Sequence, residues 1–186
     1  VNQMKFRTFL ALEFTQHIRN KLSEHTELIS GHDKLQQIRW LSKENYHLTL
    51  AFLGEIEYSI ISSLKLMLEQ NSSSIKAVPY RFLEITPFPF SGTPKVVAAI
   101  LEHSQELMQF QRNIAKYVRV LGISFERRRF IPHVTLGRMK SRSRDSLVFQ
   151  PQQIFLEGVS EKLVIFQSEL MPNRSVYTSL GEISLI

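Results

Sequence analysis

Apolar and polar residues alternate in several short stretches of the chain, a period of two that predicts β-strands. Three longer stretches repeat their apolar residues every three to four positions, which predicts helices. The strand predictions cover residues 6–12, 38–41, 46–53, 80–86, 96–101, 133–136, 154–156, 163–170 and 175–186. The mixture of hairpin-like strand pairs and intervening helices favours an α+β fold over a doubly wound parallel sheet.

The ends of these elements carry signals of their own. Thr15 is a suitable N-cap for the first helix, which is expected to end at Gly31, and Ser59 is expected to cap the second. Gly122 is expected to end the third helix, and Gly54 the third strand. The predicted apolar faces are Ile18, Leu22, Leu28 and Ile29 in the first helix, Ile60, Ile61, Leu64, Met67 and Leu68 in the second, and Leu107, Ile114, Val118 and Leu121 in the third.

A His-Leu-Thr-Leu tetrapeptide that begins at His47 returns as His-Val-Thr-Leu beginning at His133. Alternate residues of a strand share a face, so His47 and Thr49 point one way and the two leucines the other. His133 and Thr135 repeat this arrangement. Two such strands brought together would place two imidazoles and two hydroxyls in one cleft. The alternative for each motif is an ordinary buried strand.

This constellation suits acid–base chemistry at a phosphate group. A neutral histidine accepts a proton and a charged one donates it, and an ordinary pKa of about 6.5 allows both. Threonine hydroxyls and an arginine can donate hydrogen bonds to phosphoryl oxygens. Hydrolysis of a phosphodiester requires a base for the attacking water, an acid for the leaving oxygen and donors for the developing charge, and no metal is required.

The chain is basic, with a net charge of +6 and a pI of about 9.7. Lysine and arginine residues cluster around the second motif, which predicts a polyanionic substrate. A solvated run of surface charges is the alternative. The cluster consists of Arg127, Arg128, Arg129, Arg138, Lys140, Arg142 and Arg144.

The chain of 186 residues has no low-complexity linker between its halves, so we expect a single bilobal domain over residues 1–186. The absence of cysteine excludes disulfides and thiolate catalysis, and fits a reducing cytoplasm. No apolar run approaches the roughly 20 residues that cross a bilayer, and we expect no signal peptide. No metal-ligand spacing, nucleophilic serine elbow or nucleotide-binding glycine pattern is found.

The paired motifs resemble those of the 2H phosphoesterase superfamily, specifically the RNA 2′,3′-cyclic phosphodiesterases, also called 2′–5′ RNA ligases. The resemblance extends over nearly the whole chain. Its blocks are residues 7–12, RWLSKENYHLTLAFLG at 39–54, 88–99, FIPHVTLGR at 130–138, and 168–185. It implies two pseudo-symmetric lobes, each an antiparallel sheet backed by helices, with both motifs lining a central active-site cleft.

The resemblance also implies an enzyme that opens the terminal 2′,3′-cyclic phosphate of RNA to a 2′-phosphomonoester, with 2′–5′ ligation as the reverse reaction. His47 is implied as the proton donor to the leaving 3′ oxygen and His133 as the proton acceptor from water. These roles would exchange in the ligating direction. Thr49 and Thr135 match phosphate-binding hydroxyls of the family, and Arg138 matches an arginine that follows its second motif.

Arg138 poses a geometrical difficulty. Strict alternation places it on the strand face opposite His133 and Thr135. A β-bulge or the end of the strand at Gly137 could return it to the cleft, since glycine is a common bulge residue, although the family often has alanine at that position. The alternative is an Arg138 that faces solvent.

Phe9, Phe52 and Tyr177 are candidates for stacking an RNA base near the cleft, with core packing as the alternative. Three functional classes stay open: the enzyme, a non-catalytic RNA-binding module, and a purely structural or interaction protein. Within the enzyme class, a nucleotide cyclic phosphate or a 2′–5′ linkage would suit the same residues as an RNA end. We expect a cytoplasmic monomer that uses no cofactor, no metal and no membrane.

Overall fold

The computed structural model describes residues 4–33, 36–124, 129–140, 150–172 and 175–186. Its elements in chain order are β1 (Lys5–Glu13), α1 (Gln16–Ser30), β2 (Ile38–Trp40), β3 (His47–Glu57), α2 (Tyr58–Gln70), β4 (Val78–Phe88), β5 (Val96–Leu101), α3 (Gln105–Val120), β6 (His133–Met139), β7 (Gln152–Ser160), β8 (Lys162–Leu170) and β9 (Ser175–Ser184). The strands form two antiparallel sheets, with orders β3-β1-β8-β9 and β2-β6-β5-β4-β7. The helices pack on them, α2 against β3 and β9 and α3 against β3 and β4. The predicted α+β architecture is confirmed.

Three of the predicted helix ends are confirmed, including Gly31, which is the C-cap residue of α1. The hydroxyl of Thr15 accepts a hydrogen bond from the backbone N–H of Ile18 at 3.4 Å, which caps α1. Gly122 follows the end of α3 with a φ of +70°, in the left-handed region that glycine enters without steric cost. These local signals therefore place both elements correctly along the chain.

Three predicted details are wrong. Gly54 does not end the motif strand, because β3 continues to Glu57 and Gly54 takes a φ of +71° within it. Ser59 does not cap α2, because the strand runs directly into the helix and Glu57 occupies the N-cap position. Leu28 is 66% exposed, since the turn of α1 points it away from the buried stripe of that helix.

The first motif strand contains a β-bulge directly after its threonine. Thr49 pairs with Ala11 of β1, whereas the next pair joins Ala51 to Leu10, so Leu50 is an extra residue. Because side chains alternate between the two faces of a sheet, the extra residue exchanges the faces of the side chains that follow it, until a second extra residue, Leu53, restores the original order. Leu50 itself stays in the core, where it is 3% exposed.

The second motif strand contains the same irregularity at the same place. Thr135 pairs with Ala98 of β5, and the next pair joins Gly137 to Val97, so Leu136 is the extra residue. Leu136 is buried in the core, as its counterpart in the first motif is. The bulge expected next to Gly137 is therefore confirmed, and it is a feature of both lobes.

Gly137 also sets how closely β2 approaches β6. A Cβ atom built on Gly137 would lie 2.6 Å from Cγ2 of Ile38 and 3.0 Å from Cε3 of Trp40. These distances are too short for a methyl group, so a side chain at this position would push β2 away from the sheet.

We predict that Gly137→Ala lowers the free energy of unfolding by about 1–3 kcal/mol, the usual cost of overpacking. Thermal or denaturant unfolding measures this loss. Gly31→Ala is the matched control, because Gly31 has a φ of −60° and an added Cβ would lie 3.5 Å from its nearest neighbour. Equal stabilities of the two variants would contradict the packing of β2 described above.

Candidate active site

The two motif strands meet where the two sheets approach each other. β3 is an edge strand of the first sheet and contacts β6 of the second. A cleft of about 460 Å³ opens at this contact. Its lining includes all five residues predicted to act on a phosphate, which are His47, Thr49, His133, Thr135 and Arg138.

Phe52 and Arg138 line this cleft because of the two bulges. Each lies five positions after the histidine of its motif, where uninterrupted alternation would turn it to the opposite face of the sheet. In both strands the extra residue turns this side chain back to the face that lines the cleft. The β-bulge thus brings an aromatic ring into the cleft in one lobe and a guanidinium group in the other.

Each imidazole is anchored to backbone two residues before it. Nδ1 of His133 lies 2.7 Å from the carbonyl oxygen of Ile131. A carbonyl oxygen accepts, so Nδ1 carries the hydrogen and the neutral ring keeps Nε2 free to take a proton. His47 has the corresponding hydrogen bond with the backbone of Asn45. The two rings are therefore held in equivalent ways.

Aromatic rings surround His47: those of Phe9, Tyr177 and Phe166, with centroids at 4.9, 5.1 and 5.7 Å. Phe9 also lines the cleft, but it is only 2% exposed and packs among the other rings, which favours the alternative of core packing for this residue. Phe52 is 56% exposed and lines the cleft. Tyr177 also lines it, with its ring at 87° to that of His47. For these two residues stacking stays a prediction.

Phe88 stacks on His133, with a centroid distance of 4.3 Å and an angle of 29° between the rings. No sequence pattern indicated Phe88, because the contact depends on how β4 and β6 flank β5. Six polar residues of the cleft lining were missed as well: Arg7, Thr8, Asn45, Glu55, Ser168 and Ser175. A signal for Arg7 existed, since it precedes Phe9 by two residues on the same strand and so shares its face.

The basic cluster contributes less to the cleft than expected. Arg138 is exposed and lines the cleft, whereas Arg129 and Lys140 are exposed outside its lining. The other members, Arg127, Arg128, Arg142 and Arg144, lie outside the described residues. Within the described part of the chain, the cluster therefore gives the cleft one cation.

Comparison with known proteins finds similarity to one family of phosphoesterases. The family model of the LigT-like phosphoesterases matches residues 12–98. An RNA 2′,3′-cyclic phosphodiesterase of Thermotoga maritima is 27% identical, in an alignment that covers 95% of this chain and 94% of that protein. The chain is therefore similar to the LigT-like phosphoesterases. The resemblance predicted from the motifs is thus confirmed.

Two further similarities extend over almost the whole length of the chain. An RNA 2′,3′-cyclic phosphodiesterase of Methanocaldococcus jannaschii is 27% identical over 95% of this chain and 99% of its own. The crystal structure of a Thermus thermophilus protein matches with a TM-score of 0.81 and 26% identity, covering 96% of this chain and 97% of that one. The arrangement of two sheets around a cleft is therefore shared with solved structures.

The described residues contain no group of three or more histidine, cysteine, aspartate or glutamate side chains placed to hold a metal ion. Glu55 lines the cleft, but it does not belong to such a group. None of the helices in the described ranges is long and apolar enough to span a membrane.

Both histidines of the cleft have lowered pKa values. Burial is the main cause for His47, the positive charges of His133 and Arg138 add to it, and the hydrogen bond with Asn45 opposes it, which leaves a pKa of about 4. Burial also lowers the pKa of His133, against the hydrogen bond to Ile131. Both rings are therefore neutral at pH 7 in the free protein, and an anion bound between them would raise both pKa values.

We predict that both histidines titrate below pH 6.5 in the free protein, with His47 near pH 4. NMR signals of the ring C–H groups, assigned with His47→Gln and His133→Gln, give each midpoint. Added inorganic phosphate should raise both midpoints, because its negative charge stabilises the protonated rings. A midpoint of 6.5 or higher for His47 without phosphate would contradict the enclosed and positively charged surroundings described here.

Proposed function

We propose that this protein hydrolyses RNA-terminal 2′,3′-cyclic phosphates to 2′-phosphomonoesters without a metal, with His47 as proton donor and His133 as proton acceptor. The observation that carries the proposal is one cleft lined by two imidazoles and two threonine hydroxyls from equivalent strands. The relatives from Thermotoga maritima and Methanocaldococcus jannaschii, which align over nearly the whole chain, bear the name of this activity.

In the proposed reaction, a water molecule attacks the phosphorus atom and loses a proton to Nε2 of His133, whose Nδ1 is held by Ile131. The bond between phosphorus and the 3′ oxygen breaks, and His47 donates a proton to that oxygen. The phosphate group therefore stays on the 2′ oxygen. Proton exchange with solvent restores both rings. If the 5′-hydroxyl of a second RNA attacked the phosphorus atom in place of water, the same steps would form a 2′–5′ linkage.

Thr49, Thr135 and Arg138 are proposed to hold the phosphoryl oxygens. Negative charge grows on these oxygens as water attacks, so donors fixed by the two sheets stabilise the transition state more than the substrate. The bound phosphate also offsets the positive surroundings that lower the pKa of His47. Binding of the substrate thus favours the protonated His47 that the departure of the 3′ oxygen requires.

An RNA end is the proposed substrate because the protein carries a net charge of +6, which attracts a polyanion. The acid, the base and the anion-binding groups of this mechanism are all side chains of the cleft, so the proposal includes neither metal nor cofactor. The proposed setting is a monomer in the cytoplasm.

We predict that His47→Ala and His133→Ala each lower kcat by about 10²–10⁴-fold, the usual contribution of a general acid or base. The substrate is an oligoribonucleotide that ends in a 2′,3′-cyclic phosphate, with EDTA present throughout. Chromatography that separates 2′- from 3′-phosphate ends should show the 2′-phosphate as the product of the wild-type protein.

Lys140→Ala is the control, since this exposed cation lies outside the cleft lining and should leave turnover unchanged. Circular dichroism establishes that the histidine variants fold. Wild-type turnover in either histidine variant would refute the acid–base assignment. Salt-sensitive RNA binding by the wild-type protein without turnover would instead support a non-catalytic RNA-binding module.

A further inference from the structure

The cleft extends beyond the two histidines along the face of the first sheet. β1 follows regular alternation there, so Arg7 lies on the same face as Phe9 and Ala11. Ala11 pairs with Thr49 of the first motif. Arg7 is four residues further along the strand, about 13 Å at the usual rise per residue. The cleft therefore has a second end, and Arg7 is part of its lining.

Arg7 is exposed, and its side chain has no ion-pair or hydrogen-bond partner within the described part of the chain. Glu55 lies opposite Arg7 in the pairing of β1 with β3, but the two side chains do not form an ion pair. The guanidinium group is thus available for a ligand. A free cation inside a cleft is an attractive site for a second anionic group.

Hydroxyl groups accompany Arg7 at this end. Ser168 of β8 and Ser175 of β9 both line the cleft, next to the exposed side chain of Leu170. Arginine together with serine hydroxyls is a common donor set for phosphate oxygens of nucleic acids. Between this end and the histidines, the exposed ring of Phe52 offers an apolar surface on which a base can stack.

We infer that Arg7, with Ser168 and Ser175, binds the phosphodiester on the 5′ side of the nucleoside that carries the cyclic phosphate. The inference rests on the proposed function and adds a substrate preference to it. The enzyme selects the end of an RNA chain over a free nucleoside 2′,3′-cyclic phosphate, because only the chain end supplies the second phosphate group.

The test compares two substrates, adenosine 2′,3′-cyclic phosphate and the dinucleotide ApA that ends in a 2′,3′-cyclic phosphate. The wild-type protein should have a kcat/KM at least about tenfold higher for the dinucleotide, the effect of one charge-assisted contact. Arg7→Gln should remove most of this ratio, chiefly through a higher KM for the dinucleotide. Arg7→Lys, which keeps the charge, should retain part of it.

Lys5→Gln is the matched control, since it removes one positive charge two residues earlier on the same strand and outside the cleft lining. It should keep the wild-type ratio. A ratio that is equal in the wild-type protein and Arg7→Gln would overturn the assignment of Arg7, as would an equal loss in Lys5→Gln. Hydrolysis of neither substrate by the wild-type protein would overturn the proposed function itself, and the two failures are thereby distinguished.

Discussion

The single extra residue after the threonine of each motif is the constraint on which the cleft depends. Leu50 and Leu136 both remain in the core while the strands continue with their faces exchanged. A strand without the bulge would bring the histidine and threonine to the cleft and then point Phe52 or Arg138 away from it. The residue that follows each bulge is small, Ala51 in one lobe and Gly137 in the other.

The bulges also shape the electrostatics of the site. They bring Arg138 into the cleft, where its charge adds to burial in lowering the pKa of His47. The equivalent position in the first lobe holds an aromatic ring, so the halves of the cleft match in backbone and differ in charge. An anion that binds between the histidines is therefore attracted by the positive charge of Arg138 in the second lobe. Burial disfavours the protonated forms of the two imidazoles, and an anion bound between them favours these forms again.

Local patterns predicted the elements well, because caps and alternation act within a few residues. Thr15 and Gly122 are examples in helices, and the shared face of His47 and Thr49 is one in a strand. Ser59 misled the prediction because a residue suited to capping does not occupy the cap when a strand leads directly into the helix.

Contacts that depend on the register between neighbouring strands could not be predicted from the sequence. Phe9 lies at the cleft as expected, but neighbouring strands cover most of its ring with those of Phe166 and Tyr177. The stacking of Phe88 on His133 joins strands that are separated by a third one. The bulge near Gly137 could be anticipated from its glycine, whereas its counterpart at Leu50 carried no such signal.

The most direct test of two-histidine catalysis is the pH dependence of kcat/KM on an RNA-terminal cyclic phosphate, measured with EDTA present. Activity requires one charged and one neutral ring in the free protein, and both pKa values lie below 6.5. The account predicts a bell-shaped profile with its maximum below pH 6.5 and, above it, a fall of about tenfold per pH unit as both rings become neutral. A kcat/KM that keeps rising above pH 7, or that vanishes with EDTA, would contradict it.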